Sequence, residues 1–352
     1  MASSAVLRLL KTLDILHGGF QFAPCDKAPF PPHRVGASRW EPLVPPRSPG
    51  KGKPQIVSGA PLHPQQNRAR LQHLRGILSL LVLGSMSAVP APAREDAADL
   101  ELVKRALAVE LTSVQDTQHP MRYRLRKSSP RLTTTKEIFE TKDGAVARLV
   151  AIDDQPLSSA DEEKEETRLS ALLADPGRQR HRKQSEDEDT GRVLKVMRAL
   201  PNAFIYQYAG EMDSPHGKVE KFVFRPDPRF NPPDLETEAL TAMRGELWID
   251  AAQGRVARLE GHLQQDVDFG WGILGRLNKG GWIDLEQADV GSHQWRIVHF
   301  QMVMSGRVFF KTKSFDTVED ETQFVPVPLG SSYGQAVQTL RGVPAHADTA
   351  TQ

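Results

Sequence analysis

Beyond Pro201 the chain alternates apolar and polar side chains in run after run, and the spacers between the runs are short. The runs are Ala203–Tyr208, Val219–Phe224, Gly245–Asp250, Arg255–Val267, Gly280–Gln287, Gln294–Met304 and Arg307–Lys313. Turn residues stand between them at Ala251-Ala-Gln-Gly254, Gly291-Ser292 and Ser305-Gly306. A period of two places successive side chains on opposite faces of a strand. Spacers this short join antiparallel neighbours, because a parallel pair needs a crossover of a dozen or more residues. This half of the chain is thereby restricted to an antiparallel sheet.

The preceding segment adds strands and two groups of helices. Met121–Arg126 and Thr133–Thr141 alternate in the strand manner, and Asp143-Gly144 turns the chain into Ala145–Ile152. Before them, Leu100, Val103, Leu107, Leu111 and Val114 recur at helical steps, with Glu101, Lys104, Arg105 and Glu110 expected on the other sides. Residues 158–200 break the β pattern. Ser158 and Ser159 cap a short stripe of Leu169, Leu172 and Leu173, and Pro176-Gly177 stops it. Val193, Val196, Met197 and Leu200 form a further stripe before Pro201. The predicted class is α+β: a strongly curved antiparallel sheet, an unclosed β-barrel of about ten strands, with a leading helix, a helical insertion and helices on one side.

Side-chain parity locates the apolar face. In Arg255–Val267, Ala257, Leu259, Gly261 and Leu263 share one face, opposite Arg258, Glu260, His262 and Gln264. In Gln294–Met304, Arg296, Val298, Phe300, Met302 and Met304 share a face, opposite Trp295, Ile297, His299, Gln301 and Val303. A sheet with one apolar face needs a cover or a ligand. The Leu100–Val114 stripe alone is too narrow to cover ten strands, though the 158–200 helices could assist. A concave pocket and a packed dry core both stay open. The expected lining of a concave pocket is Phe222, Phe224, Leu259, Leu263, Phe300, Met302 and Met304, with the methionines able to adapt to an irregular ligand.

Composition divides the chain at its first third. Residues 1–93 hold 11 Lys and Arg against 3 Asp and Glu, whereas the remainder holds 34 against 41. Residues 1–70 contain 11 of the 26 prolines, a composition that resists helix and sheet. Arg68, Arg70 and Arg75 then precede the uncharged run Gly76–Met86 and Ser87-Ala-Val-Pro-Ala-Pro-Ala93, the order of a secretory signal with Ala91 and Ala93 at the cleavage positions. The apolar run is about half of what a bilayer span requires. The expected organisation is a disordered Pro/Arg-rich extension at 1–67, a signal peptide at 68–93, a domain at 94–328 and a flexible tail at 329–352. A signal this far from Met1 implies either a true start downstream or an extended basic region. Export to the periplasm is the expectation, without a lipid anchor, since no cysteine follows the apolar run. The one cysteine, Cys25, excludes a disulfide framework and a multi-cysteine metal site.

Several motif matches lack their structural context. Gly270-Trp-Gly-Ile-Leu-Gly275 fits a dinucleotide fingerprint but lies between strands and opens no helix. Gly330-Ser-Ser-Tyr-Gly334 fits a nucleophile elbow, yet only His346 and Asp348 follow, in the wrong order. His262 and His299 stand singly on strands, and Asp266 and Asp268 read as turn formers. The basic cluster Arg178–Lys183 is answered by acidic Glu186–Asp189, which argues for a self-compensating solvated helix and against nucleic acid. No cofactor, metal or catalytic residue is predicted, and the chain is not read as an enzyme.

Gly245-Glu-Leu-Trp-Ile-Asp250 followed by Gly254-Arg-Val-Ala-Arg-Leu-Glu260 resembles the strand pair of periplasmic proteins of the outer-membrane lipoprotein-sorting type. Over 94–328 the order of elements is similar too, and Phe269-Gly-Trp-Gly-Ile-Leu-Gly275 with Gly280-Gly-Trp282 resembles an exported bacterial branch of that group. The resemblance implies an unclosed barrel whose apolar cavity holds acyl chains, without catalysis. The expected function is that of an exported, monomeric carrier or binding protein for a lipid or lipidated protein, with a membrane-bound partner. A periplasmic sensor or interaction domain docking through 158–200 is the alternative, and a hydrolase a distant one.

Overall fold

The computed structural model describes residues 94–343 apart from 216, 271 and 273. The extension and signal expected over 1–93 lie outside the described residues. Helix α1 (Arg94–Val114) leads into β1 (Met121–Ser129), β2 (Leu132–Phe139), β3 (Val146–Ile152) and a short β4 (Gln155–Pro156). Helices α2 (Ser159–Ala174) and α3 (Pro176–Ala203) follow, then β5 (Phe204–Ser214) and β6 (Gly217–Pro226). A one-turn helix α4 (Leu235–Glu238) runs into a 3-10 turn (Ala239–Ala242). After it come β7 (Met243–Asp250), β8 (Val256–Leu263), β9 (Val267–Phe269), β10 (Gly275–Leu277), β11 (Trp282–Asp289), β12 (Trp295–Val308) and β13 (Lys311–Pro326). Helix α5 (Tyr333–Arg341) closes the described chain.

All the strands pair antiparallel in one 13-stranded sheet, in the order β4-β3-β2-β1-β13-β12-β11-β8-β7-β6-β5, with the β9–β10 hairpin attached to the end of β12. The outer strands β4 and β5 do not pair with each other, so the curved sheet stays open. The expected α+β half-barrel is what forms, with more strands than the ten anticipated.

Local chemistry explains where the helices begin. The Ser158 hydroxyl accepts the Asp161 N–H at the start of α2, and Asp175 caps α3, whose first residue is Pro176. Proline suits that position because its missing donor would have had no helical partner. The free edge of β3 is also closed by side chains. Glu165 accepts the Leu149 N–H at 2.8 Å and Arg168 donates to the Ala147 carbonyl at 2.5 Å, both from α2. An open strand edge would otherwise invite pairing with another chain.

The structure corrects three expectations. Ser305-Gly306 is not a turn: β12 runs unbroken to Val308 and reverses at Phe309–Phe310 into β13. Glycine serves there because β12 passes tight against β10, and a Cβ on Gly306 would stand 2.3 Å from the Arg276 carbonyl oxygen. The 329–352 segment, expected as a flexible tail, contains α5, capped by reciprocal Ser332–Gln335 bonds and burying Tyr333, Ala336, Val337 and Leu340. Ser332 is thus the N-cap of α5. Helices also lie on both sides of the sheet. On the concave side, α1, the end of α3 and the 3-10 turn pack into one core with β6–β8, β11 and β12. On the outer side, α2 and α5 pack on Phe139 and Val146, whose neighbours Ile138 and Ala147 point the other way, with Tyr123 and Leu125.

Candidate functional site

The concave face is shaped by two β-bulges that the alternation pattern concealed. Between β7 and β8, Trp248 opposes Arg258 while Ile249 opposes Val256, so Ala257 is the extra residue. Between β11 and β12, Glu286 opposes His299 while Gln287 opposes Ile297, so Val298 is extra. A bulge switches which residues face inward on its two sides. Val256 therefore points inward together with Leu259, and Trp295 and Ile297 point inward together with Phe300, Met302 and Met304. This corrects the parity that set Trp295 and Ile297 on the face opposite Phe300.

These side chains line a largely apolar cavity of about 170 Å³. Leu259 and Leu263 of β8, Ile283 and Leu285 of β11, and Phe300, Met302 and Met304 of β12 form its floor. Leu107 of α1, Val196 and Leu200 of α3, and Leu240 of the 3-10 turn cover it. Of the residues expected to line a pocket, Leu259, Leu263, Phe300, Met302 and Met304 do so. Phe222 and Phe224 do not: they belong to the aromatic packing under β5, where Phe224 lies 4.6 Å from Phe204 and Phe222 lies 5.5 Å from Tyr208, centroid to centroid. Trp295, Ile297 and Leu240 were not anticipated, whereas Leu107 lay on the α1 stripe and Val196 and Leu200 on the stripe before Pro201.

A wider cleft of about 910 Å³ adjoins the cavity. The two share Val114, Tyr123 and Glu140 and meet there. Tyr123, Leu125, Ile138, Ala145 and Ala147 of the sheet contribute its apolar lining, and Arg182 to Leu194 of α3 stand opposite. The α3 charges compensate one another as expected: Lys183 is paired with Asp187, and Arg192 with Asp189. Lys136, Lys142, Asp116 and Glu186 also line this cleft, which is more polar than the smaller cavity.

Several polar groups on the concave side are anchored by hydrogen bonds. Glu110, expected on an outer side of α1, is buried and forms two bonds with Arg255, at 2.7 and 3.0 Å. Glu140 accepts the Met121 N–H at 2.9 Å where the two chambers meet. Burial pushes the Glu140 carboxyl above the ordinary carboxylate range, and the charge of Arg296 and the Met121 bond offset this only in part. Arg296 donates to the His119 carbonyl at 2.6 Å.

The strand histidines lie away from these chambers. His262 meets Glu260 at 2.7 Å and stacks on Trp282, while His299 meets Asp320 at 2.8 Å. Asp268 is bonded to Arg276 and Asp266 accepts the Lys279 N–H, so the expected turn acids tie the β9–β10 hairpin together. Gly270 and Gly272, with φ of 55° and 76°, bend that hairpin and open no helix. Among the described residues no helix is long and apolar enough to cross a membrane.

No protein-family model matches the chain, and no curated protein matches it. Among solved structures, a domain from Vibrio parahaemolyticus with a provisional outer membrane lipoprotein-sorting description is similar at a TM-score of 0.28 and 10% identity, over 69% of this chain and 97% of that one. Likeness at that level carries no argument. The fold stands on its own strand order and register.

Proposed function

We propose that this chain is a non-catalytic carrier or binding protein for a lipid or an acylated protein, acting after export to the periplasm. One observation carries the reading: a largely apolar chamber on the concave face meets a wider, more polar cleft at Val114, Tyr123 and Glu140. An amphiphile has that same division between tail and head.

Magnitudes define what each chamber can contribute. A cavity of about 150 Å³ lined by Leu, Ile and Phe stays dry and takes a ligand the size of benzene. The 170 Å³ chamber is of that class and holds roughly the last six carbons of an acyl chain. At about 0.8 kcal/mol per methylene this supplies about 5 kcal/mol, which alone gives a dissociation constant only somewhat below about 1 mM. Tighter binding draws on the 910 Å³ cleft, which lies within the usual range for small-molecule sites of about 300–1,000 Å³.

Native mass spectrometry of the full chain from an exported fraction tests the reading, backed by titration with the fluorescent fatty acid cis-parinaric acid. The expected result is a non-covalent adduct of acyl-lipid mass and saturable one-to-one binding. A bare polypeptide mass together with no parinaric acid binding would overturn the carrier.

A further inference from the structure

The hairpin between β12 and β13 reverses through two phenylalanines. Val308 pairs with Lys311, so Phe309 and Phe310 alone make the loop. Phe310 is 100% exposed and Phe309 41%. Two-residue loops ordinarily carry glycine, asparagine or aspartate because their central residues take positive φ. Here Phe309 occupies that position with φ of 49°. A bulky aromatic in left-handed backbone is strained, and its fully exposed neighbour gains nothing from folding. Strain held at an exposed site is a mark of function.

The surroundings say what meets this tip. Arg307, Lys311 and Lys313 are exposed beside it, and residues 305–314 contain no carboxylate. Arg307 reaches the Gly272 carbonyl at 3.3 Å, while Asp266 and Asp268 of the adjoining β9–β10 hairpin are paired with Arg276. The hairpin also extends beyond β1, which pairs with β13 from Val318 to Pro326. Among the described residues β13 has no strand neighbour on that side from Lys311 to Thr317, while β10 flanks β12 as far as Val308. Tip-to-tip contact with a second copy would set three cations against three, and a purely apolar groove would leave them without partners. An anionic bilayer answers both features, since exposed aromatics enter its interfacial layer while lysine and arginine sit against its headgroups.

We propose that the β12–β13 hairpin is a membrane-docking finger, with Phe309 and Phe310 inserting into an anionic phospholipid surface held by Arg307, Lys311 and Lys313. Docking does not depend on the carrier reading, and either can fail alone. The test is flotation of the full chain with vesicles of phosphatidylglycerol and phosphatidylethanolamine, against phosphatidylcholine alone. Wild type should float with the anionic vesicles. Phe310→Ser should weaken this about tenfold or more, the value of burying one aromatic side chain. Lys311→Glu with Lys313→Glu should do the same through charge. Neither change should alter the urea midpoint or the parinaric acid titration. In Phe310→Trp, the one added tryptophan should move the emission to the blue on adding anionic vesicles. An emission unchanged by vesicles, or wild-type flotation equal to that of Phe310→Ser, would overturn the finger. So would self-association that Phe310→Ser abolishes while vesicles bind neither protein.

Discussion

Arg255 holds Glu110 by two parallel bonds, from Nε to Oε1 at 2.7 Å and from Nη2 to Oε2 at 3.0 Å, and both side chains are buried. The pair ties α1 to the start of β8. Glu110 also accepts the Val256 N–H at 3.1 Å and the Gln287 amide at 3.2 Å, and the guanidinium lies 5.6 Å from the Trp295 ring centroid. Removing one partner leaves the other as a buried, unpaired charge. Glu110→Ala and Arg255→Ala should therefore each cost about 3–5 kcal/mol. The double change Glu110→Met with Arg255→Met should cost far less, since it removes both charges and keeps the volume. Urea unfolding of the three variants measures this, and single losses below about 1 kcal/mol would show the pair to be solvated.

Leu259 stands on the cavity floor, whereas Phe222 is buried outside its lining. Leu259→Trp should fill the chamber and abolish parinaric acid binding, with a stability change under about 1.5 kcal/mol because room exists for the larger ring. Phe222→Leu should lower stability by about 1 kcal/mol through lost burial and leave binding intact. If the two variants bind equally, the chamber is not where the chain sits.

Glu140 gives the site a pH signature. Its carboxyl is raised by burial in the folded protein, whereas in the unfolded chain it titrates near about 4.3. Above that unfolded value the unfolded state releases its proton first, so the folded state holds more protons and stability falls with rising pH until the folded pKa is passed. Glu140→Gln keeps an acceptor for the Met121 N–H and removes the titration. The stability difference between variant and wild type should grow in the variant's favour from pH 4 upward and then level off. A difference that is flat, or that reverses, would show the carboxylate to be stabilised in place.

How far these features were readable depends on the physical signal each leaves in the sequence. Short turns and alternation announced β5–β8 and β11, and the Leu100–Val114 stripe announced α1, because burial on one face imposes a period. Most of β13 left no such mark. Lys311 to Gln323 is almost wholly polar, with Thr317, Glu319 and Glu321 as inward buried residues, so only its first residues, within Arg307–Lys313, read as a strand. Bulges at Ala257 and Val298 insert one residue without changing composition, and only the partner strand's register exposes them. That is why Trp295 and Ile297 were missed while Phe300 was found. Glu110 followed the helix period into the core, but its charge suggested water, and the compensating Arg255 lies 145 residues away.

Gly245 and Gly261 face each other across β7 and β8, next to the strand positions that carry Leu247 and Leu259 into the cavity. The two glycines are not equivalent. A Cβ on Gly245 would stand 1.8 Å from the Glu260 carbonyl oxygen and 2.8 Å from the Phe224 ring, both held by the sheet and the core. On Gly261 it would stand 2.7 Å from the Met243 sulfur, the flexible part of a side chain that can turn aside. Overpacking costs typically about 1–3 kcal/mol, and more where backbone must move. Gly245→Ala should therefore lose about 3 kcal/mol or more, and Gly261→Ala about 1 kcal/mol. For a domain of this size each kilocalorie lowers the melting temperature by about 2–4 °C, so thermal unfolding separates the two. Because the displaced strand carries Leu247, Gly245→Ala should also weaken parinaric acid binding at temperatures where it is still folded, whereas Gly261→Ala should not. Equal melting temperatures would mean that β7 and β8 do not approach as closely as the register requires.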